Sequence, residues 1–445
     1  MLTYLLITIY LLFFAYVCIR RLDWGVYLVL LTLPSYGVRL QLGFLPLTLL
    51  ELEILVLFLV WFWRAISSKF ELWPQSKFAK WSVLILVIAT ISMLVSPELV
   101  RAAGIWKAYF VEAILFFIIF SSVIKTSEQL RNVVHSLGLV ALVISVFAII
   151  QKFTNGFLVP YQYWYLGEGP RVTSFYSYPN AVGLFVAPIV MMMVGYLVSI
   201  KRHAARSAQQ VLEIVFLVST IVCGALAIWW AHSDGALVGL AAGLVVFGLL
   251  VKKTRWYVVG AILFLIFYFL LFGLPSSIMQ KLTFSDWSGS VRLTIWAESW
   301  NMIKNHWLLG AGLAGYQSAI VPYHQAKYIE IFLYPHNFVI NFWSELGLAG
   351  LIVFLGSIVH YFWIGLRTVF SRKDKDKKQG QIQIFTAGLV AAMVTILVHG
   401  LVDVPYFKND LAVLWWMFFG LMSVVAYGAS IGVILTEDKK EYNKK

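Results

Sequence analysis

Apolar runs of about 16 to 23 residues recur from one end of this chain to the other, each able to cross or nearly cross a bilayer's hydrocarbon core. Between them the sequence leaves little room: the longest non-membrane segment, roughly residues 275 to 335, bounds the size of any extramembrane unit. Of the 445 residues, 61% are hydrophobic and 12% charged, whereas a soluble domain carries about twice that charged fraction. The fold class is therefore an all-α polytopic membrane protein forming one integral membrane domain over 1–445. The start of the chain is apolar from Leu2, with no basic n-region and no small-residue cleavage site, and it reads as a retained helix rather than a signal peptide.

The net charge of +13 invites a nucleic-acid reading, which its distribution excludes. Basic residues fall in short clusters at Arg20-Arg21, Lys201-Arg202 with Arg206, Lys252-Lys253 with Arg255, Arg372 to Lys378, and the Lys-rich tail. Such clusters between apolar spans mark cytoplasmic connections. The expected helices are 2–19, 24–40, 45–63, 81–96, 104–124, 132–150, 179–200, 211–231, 235–251, 256–274, 338–368, 382–402 and 411–433. Pro34, Gly37 and Arg39 mark 24–40 as broken or re-entrant, so twelve or thirteen spans are expected. With the basic clusters inside, the outward connections include 151–178 and 275–337, the longer and less basic loops. Charged runs 372–378 and 437–445 read as solvated cytoplasmic segments. No internal repeat of the kind many transporters carry is visible, and Cys18 and Cys223 fall within apolar spans, so no disulfide framework is implied.

Within the large loop, Leu293, Trp296, Trp300, Ile303 and Trp307 share one face of a helix expected over 290–309, suited to the headgroup level. Arg292 lies one turn before Trp296 and can point from the interface towards a cavity. Gly310-Ala311-Gly312 and Gly315 then break the helix. The loop closes on Tyr334-Pro335-His336-Asn337, which sets a histidine at a helix N-terminus where solvent meets bilayer. The positive end of a helix favours neutral imidazole, the form a general base needs to take a hydroxyl proton. An interfacial histidine that only caps or packs has the same sequence. Glu345, nine positions on, falls on the opposite face of a continuous helix and is expected to reach another helix, while Gly347 and Gly350 permit close packing.

Arg171 and Arg292 are the outward-loop arginines nearest to expected helix ends, and guanidinium forks suit phosphate oxygens. Their bland alternative is snorkelling, or pairing with Glu168 or Glu298. Ionisable residues inside spans are functional hypotheses by default; they are Glu51, Glu53, Lys107, Glu112, Asp234, His360, His399 and Asp403. Lys107 and Glu112, five apart, point to different partners and favour structural ion pairs. Metal-binding His-x-x-x-His and His-Glu-x-x-His spacings are absent, as are a P-loop and a Gly-x-Ser-x-Gly elbow, so an enzyme here is expected to work without a metal or nucleotide cofactor.

Several short motifs in order resemble the O-antigen ligase / Wzy-type polymerase superfamily of bacterial envelope glycosyltransferases. They are Arg171-Val172-Thr173-Ser174-Phe175 leading to Pro179-Asn180-Ala181, and Ser233-Asp234-Gly235-Ala236. Arg292 with Trp296 before Leu309-Gly310-Ala311-Gly312 follows, then His336-Asn337 through Glu345-Leu346-Gly347 and Gly350. His399-Gly400-Leu401-Val402-Asp403 and Trp415-Trp416 fit the closing helices, so the resemblance covers 170–420.

The resemblance implies a metal-independent, inverting transfer on the outer face of the bacterial plasma (inner) membrane. The partners would be membrane lipids, a glycan on a polyprenyl diphosphate as donor, and a lipid- or glycan-linked acceptor. It assigns His336 as base and Arg292 to the leaving group, and Arg171, Asn180, Asn337 and Lys107 to substrate binding. In many members this turn reads Ser-Arg-Gly-Ala, whereas Asp234 stands here in place of arginine, so that either Arg171, Lys107 or Arg101 supplies the missing charge or the donor lies differently. A polysaccharide polymerase and a protein O-oligosaccharyltransferase share donor and base. A lipid-linked-oligosaccharide transporter is the reading from another class.

Overall fold

The computed structural model describes residues 2–42, 45–67, 76–166, 169–200, 208–371 and 377–431. The basic cluster at 201–206, Glu168, residues 372–376 of the expected solvated run and all of the expected run 437–445 lie outside the described residues. Nearly everything else is helix. Backbone amides in lipid have no water to bond, so a helix that satisfies them internally is the natural spanning element for each apolar run.

Among the described residues nine helices are long and apolar enough to cross a membrane. Ala79–Leu94 and Asp234–Leu250, at 16 and 17 residues, fall just short. Leu49–Ser67 is long enough but carries Glu51, Glu53 and Arg64. The span 24–40 is broken, as its Pro34, Gly37 and Arg39 lead one to expect. Its helix ends at Leu31, and Pro34 opens a 3-10 turn over Leu33–Gly37. A two-stranded antiparallel hairpin follows, Arg39–Leu42 against Leu45–Thr48, with Arg39 opposite Thr48. This hairpin also takes the first residues of the expected helix 45–63.

Helices Asn180–Ile200, Lys377–Gly400 and Asn409–Ile431 form the centre of the molecule, with Phe185, Met393, Trp416 and Phe418 fully enclosed. The first two approach to backbone contact at Gly195 and Gly388, where a Cβ on either would lie within 2.6 Å of the other's Cα. Small residues are what permit such proximity. Helix Arg255–Phe272 is the opposite case: it buries no residue and turns Leu263, Phe264, Phe267 and Leu271 outward.

The long helix Phe338–Val369 is broken at Gly347, whose φ of 71° and ψ of -175° are not helical. Gly347 is therefore a hinge in the chain path and not the helix-packing glycine expected from sequence. Into this break docks the loop after helix Trp287–Asn305. Ala311 N–H donates to Ser344 O at 2.7 Å, and Leu348 N–H to Trp307 O at 3.1 Å. A Cβ at Gly347 would sit 2.1 Å from Leu308 O, so the docking requires glycine twice over, for its dihedral and for its lack of volume. Glu345, buried just before the break, accepts from the Ala314 amide at 2.7 Å, which directs it to this loop and not to another helix.

Candidate active site

The connection 401–408, between helices Lys377–Gly400 and Asn409–Ile431, gathers side chains from three distant parts of the chain. Leu401 O accepts from Asn337 Nδ2 at 2.9 Å and Val402 O from Arg292 Nε at 3.0 Å. Asp403, buried, accepts from Asn180 Nδ2 at 3.0 Å and from the Val404 amide at 2.8 Å. Its Oδ1 also stands 3.5 Å from His336 Nδ1. That separation is ion-pair distance, beyond a well-formed hydrogen bond. Nδ1 has no closer partner.

His336 is placed from both sides. Helix Phe338–Val369 begins after Asn337, whose Oδ1 caps the Val339 and Ile340 amides at 3.0 and 3.1 Å. The histidine thus precedes the cap instead of occupying the first turn. On its other side, Trp296 Nε1 donates to Pro335 O at 2.9 Å. Phe332 meets the imidazole edge to face at 5.1 Å. The residue sits at φ 50°, a left-handed conformation that residues with a Cβ rarely adopt. The ring is one-third exposed.

Arg171 reaches the same network through Asn180. Its Nη2 donates to Asn180 Oδ1 at 2.9 Å and to His232 O at 3.3 Å, and Nε donates to Ala231 O at 2.9 Å. Arg292 adds bonds from Nη1 to the Ser288 carbonyl and hydroxyl. Nη1 of Arg171 and Nη2 of Arg292 have no protein partner among the described contacts.

Charge follows the geometry. Burial opposes ionisation of Asp403, yet the His336 contact, the nearby His399 and the Val404 amide outweigh it and hold the carboxyl well below the usual range. Burial pulls Arg171 below its ordinary value; Tyr163 and Asp234 oppose this, and the Arg292 charge adds to it. A carboxylate at Nδ1 favours the tautomer with its proton there, which leaves Nε2 as the basic nitrogen.

The sequence-derived residues divide into two groups. Arg171, Asn180, Arg292, His336 and Asn337 converge on residues 401–403. Lys107 does not join them by any described contact: it lies on a π-helical stretch, Trp106–Val111, and bonds Glu51 at 3.1 Å and Pro46 O at 3.3 Å. Asp234 pairs with Lys281 at 2.7 Å, and Arg101 bonds Gln317 at 2.9 Å. Sequence reasoning counted Asp403 among the ionisable residues of the spans but did not make it the partner of His336. The available signal was the His399-to-Asp403 stretch, which places two ionisable residues four apart at the end of a closing helix.

Comparison with known proteins points to the same family as the sequence motifs. Residues 219–355 match the family described as O-Antigen ligase. Over this stretch, about a third of its length, the chain is similar to that family. A protein of Rickettsia conorii (strain ATCC VR-613 / Malish 7), provisionally named a polysaccharide ligase, is 26% identical over 157 residues. That match spans 34% of this chain and 34% of the relative, so it covers about a third of the relative's length. The O-antigen ligase match contains Asp234, Arg292, His336 and the Gly347 break. Arg171, Asn180 and Asp403 lie outside it, and the fold brings them to its histidine.

Proposed function

We propose that this chain is a membrane glycosyltransferase that moves a glycan from a polyprenyl-diphosphate carrier to an acceptor hydroxyl, at the outer face of the bacterial plasma membrane. The observation that carries the reading is the joining of His336 and two arginines through the 401–403 turn, with one amino group of each guanidinium without a partner among the described residues.

In this reading the acceptor hydroxyl gives its proton to His336 Nε2 while Asp403 balances the imidazolium at Nδ1. The acceptor oxygen bonds the anomeric carbon as the carbon–oxygen bond to the diphosphate breaks on the opposite face, so configuration inverts. The electron pair of that bond leaves with the carrier diphosphate. Nη1 of Arg171 and Nη2 of Arg292 are the donors placed to receive its growing charge. Charge stabilisation is thereby assigned to guanidinium groups, and the mechanism is metal-independent. Asn180 and Asn337, whose amides are engaged in the network, act by positioning, while Lys107, paired with Glu51, is given no part in this step.

The test is product analysis in proteoliposomes supplied with a lipid-linked glycan and candidate acceptors. A single glycan on a new acceptor supports a ligase, while a ladder of lengthened lipid-linked chains identifies a polymerase. Movement of intact lipid-linked glycan across the bilayer, without a new glycosidic bond, would replace the enzyme reading with transport.

A further inference from the structure

The start of the large loop is loosely packed among the described residues. Neither helix Arg255–Phe272 nor the short helix Ser276–Leu282 after it buries any residue. The described side-chain polar link from Ser276–Leu282 to another span is Lys281 Nζ to Asp234 Oδ2, at 2.7 Å, with both side chains more than half exposed. Exposed ion pairs contribute little to stability, so holding the fold together does not account for this one.

Its position does. Asp234 opens helix Asp234–Leu250 directly after the turn whose carbonyls at Ala231 and His232 hold Arg171. His232 lies in the combined field of Arg171, Lys152, Asp234 and Lys281, and Arg171 in that of Asp234 and Arg292. An unpaired carboxylate here would repel an anion drawn to the two arginines. A lysine pairs with it instead, as a compact charge on a flexible stem carried by a segment that buries nothing.

We infer that Lys281 is a further binding residue for the donor's diphosphate, paired with Asp234 until the anion arrives and then transferred to phosphate oxygens beside Arg171. This rests on the donor class proposed above. No covalent step is involved; one anionic partner of the ammonium replaces another.

Binding, not turnover, tests it. The full chain in lipid nanodiscs is titrated with farnesyl diphosphate as the probe, alongside the Lys281→Met, Lys281→Arg and Asp234→Asn variants. Lys281→Met should bind about tenfold more weakly, as expected for loss of a charge-assisted contact. Lys281→Arg should stay within about threefold of the parent, since it keeps the charge. Asp234→Asn should bind at least as tightly as the parent because it removes the competitor. Parent-like binding by Lys281→Met overturns the inference and leaves the donor reading intact. Weakening by Asp234→Asn as large as that by Lys281→Met also overturns it, since the pair would then be a structural tether. Failure of the parent to bind farnesyl diphosphate removes the donor reading and this inference together.

Discussion

His336 is held at φ 50°, a left-handed backbone that costs a residue with a Cβ on the order of 1–2 kcal/mol. The Asn337 cap and the Trp296 bond to Pro335 offset that strain and fix where the ring lies. Asp403 adds the tautomer. An asparagine at 403 has the carboxylate's shape, but it lacks the charge and can offer Nδ1 an N–H. Asp403→Asn should therefore lower transfer by about 100-fold or more with expression and fold intact, the scale of a misdirected general base. Asp403 also sets a pH dependence. Its folded pKa lies below the unfolded one, so its ionised form stabilises the fold above about pH 4. That contribution is lost as pH falls through the depressed folded value. Thermal melts from pH 6 down to pH 3 should fall less steeply for Asp403→Asn than for the parent protein; parallel curves would count against the assignment.

Among elements, the broken helix Phe338–Val369 and the loop docked in it decide where the histidine stands. Gly347→Ala forces a left-handed alanine and drives a Cβ against Leu308 O. It should destabilise by at least about 1–3 kcal/mol and free the 307–315 loop, seen as a lowered Tm and faster amide exchange at Ala311 and Leu348. Glu298 plays a similar part further out. It accepts from His324 and from the Gln325 and Ala326 amides at 2.8 to 3.0 Å, and these bonds overcome burial to lower its pKa. Glu298→Gln should open the 324–326 turn to protease at neutral pH, and acid below about pH 4 should do the same to the parent. Helix positions were legible from apolar periodicity because the lipid-spanning pattern is long and repetitive. The break at Leu33–Gly37 was legible from Pro34 and Gly37, but the hairpin and the π-helical stretch at Lys107 were not, since each depends on backbone pairing with no side-chain period of its own. The Gly347 break was hidden as well: a glycine between apolar residues reads as packing until the loop that needs its dihedral is known.

At the scale of the whole molecule, the connections carrying Arg171, Arg292, His336 and Asp403 meet at one end of the bundle, which the proposed function requires to face outward. In a background lacking Cys18 and Cys223, Ser276→Cys should react with an impermeant thiol reagent in intact cells. Lys253→Cys should react only after permeabilisation; the reverse pattern would place the site in the cytoplasm. Much of the site was readable in sequence because arginines and histidines at helix ends of an apolar chain stand out. What joins them was not, because the bonds from Asn180 and His336 to Asp403 cross 223 and 67 positions. Asn180 and Asp234 stand out in the sequence, but that they meet Asp403 and Lys281 is visible only once the fold brings them together. The most direct test of the central claim is transfer from a polyprenyl-diphosphate-linked glycan in proteoliposomes by His336→Ala and Arg292→Ala, each checked for expression and folding. Both should lose transfer by about 100-fold or more, in line with removal of a general base or of a charge-stabilising donor. Near-parental transfer by His336→Ala would contradict the account.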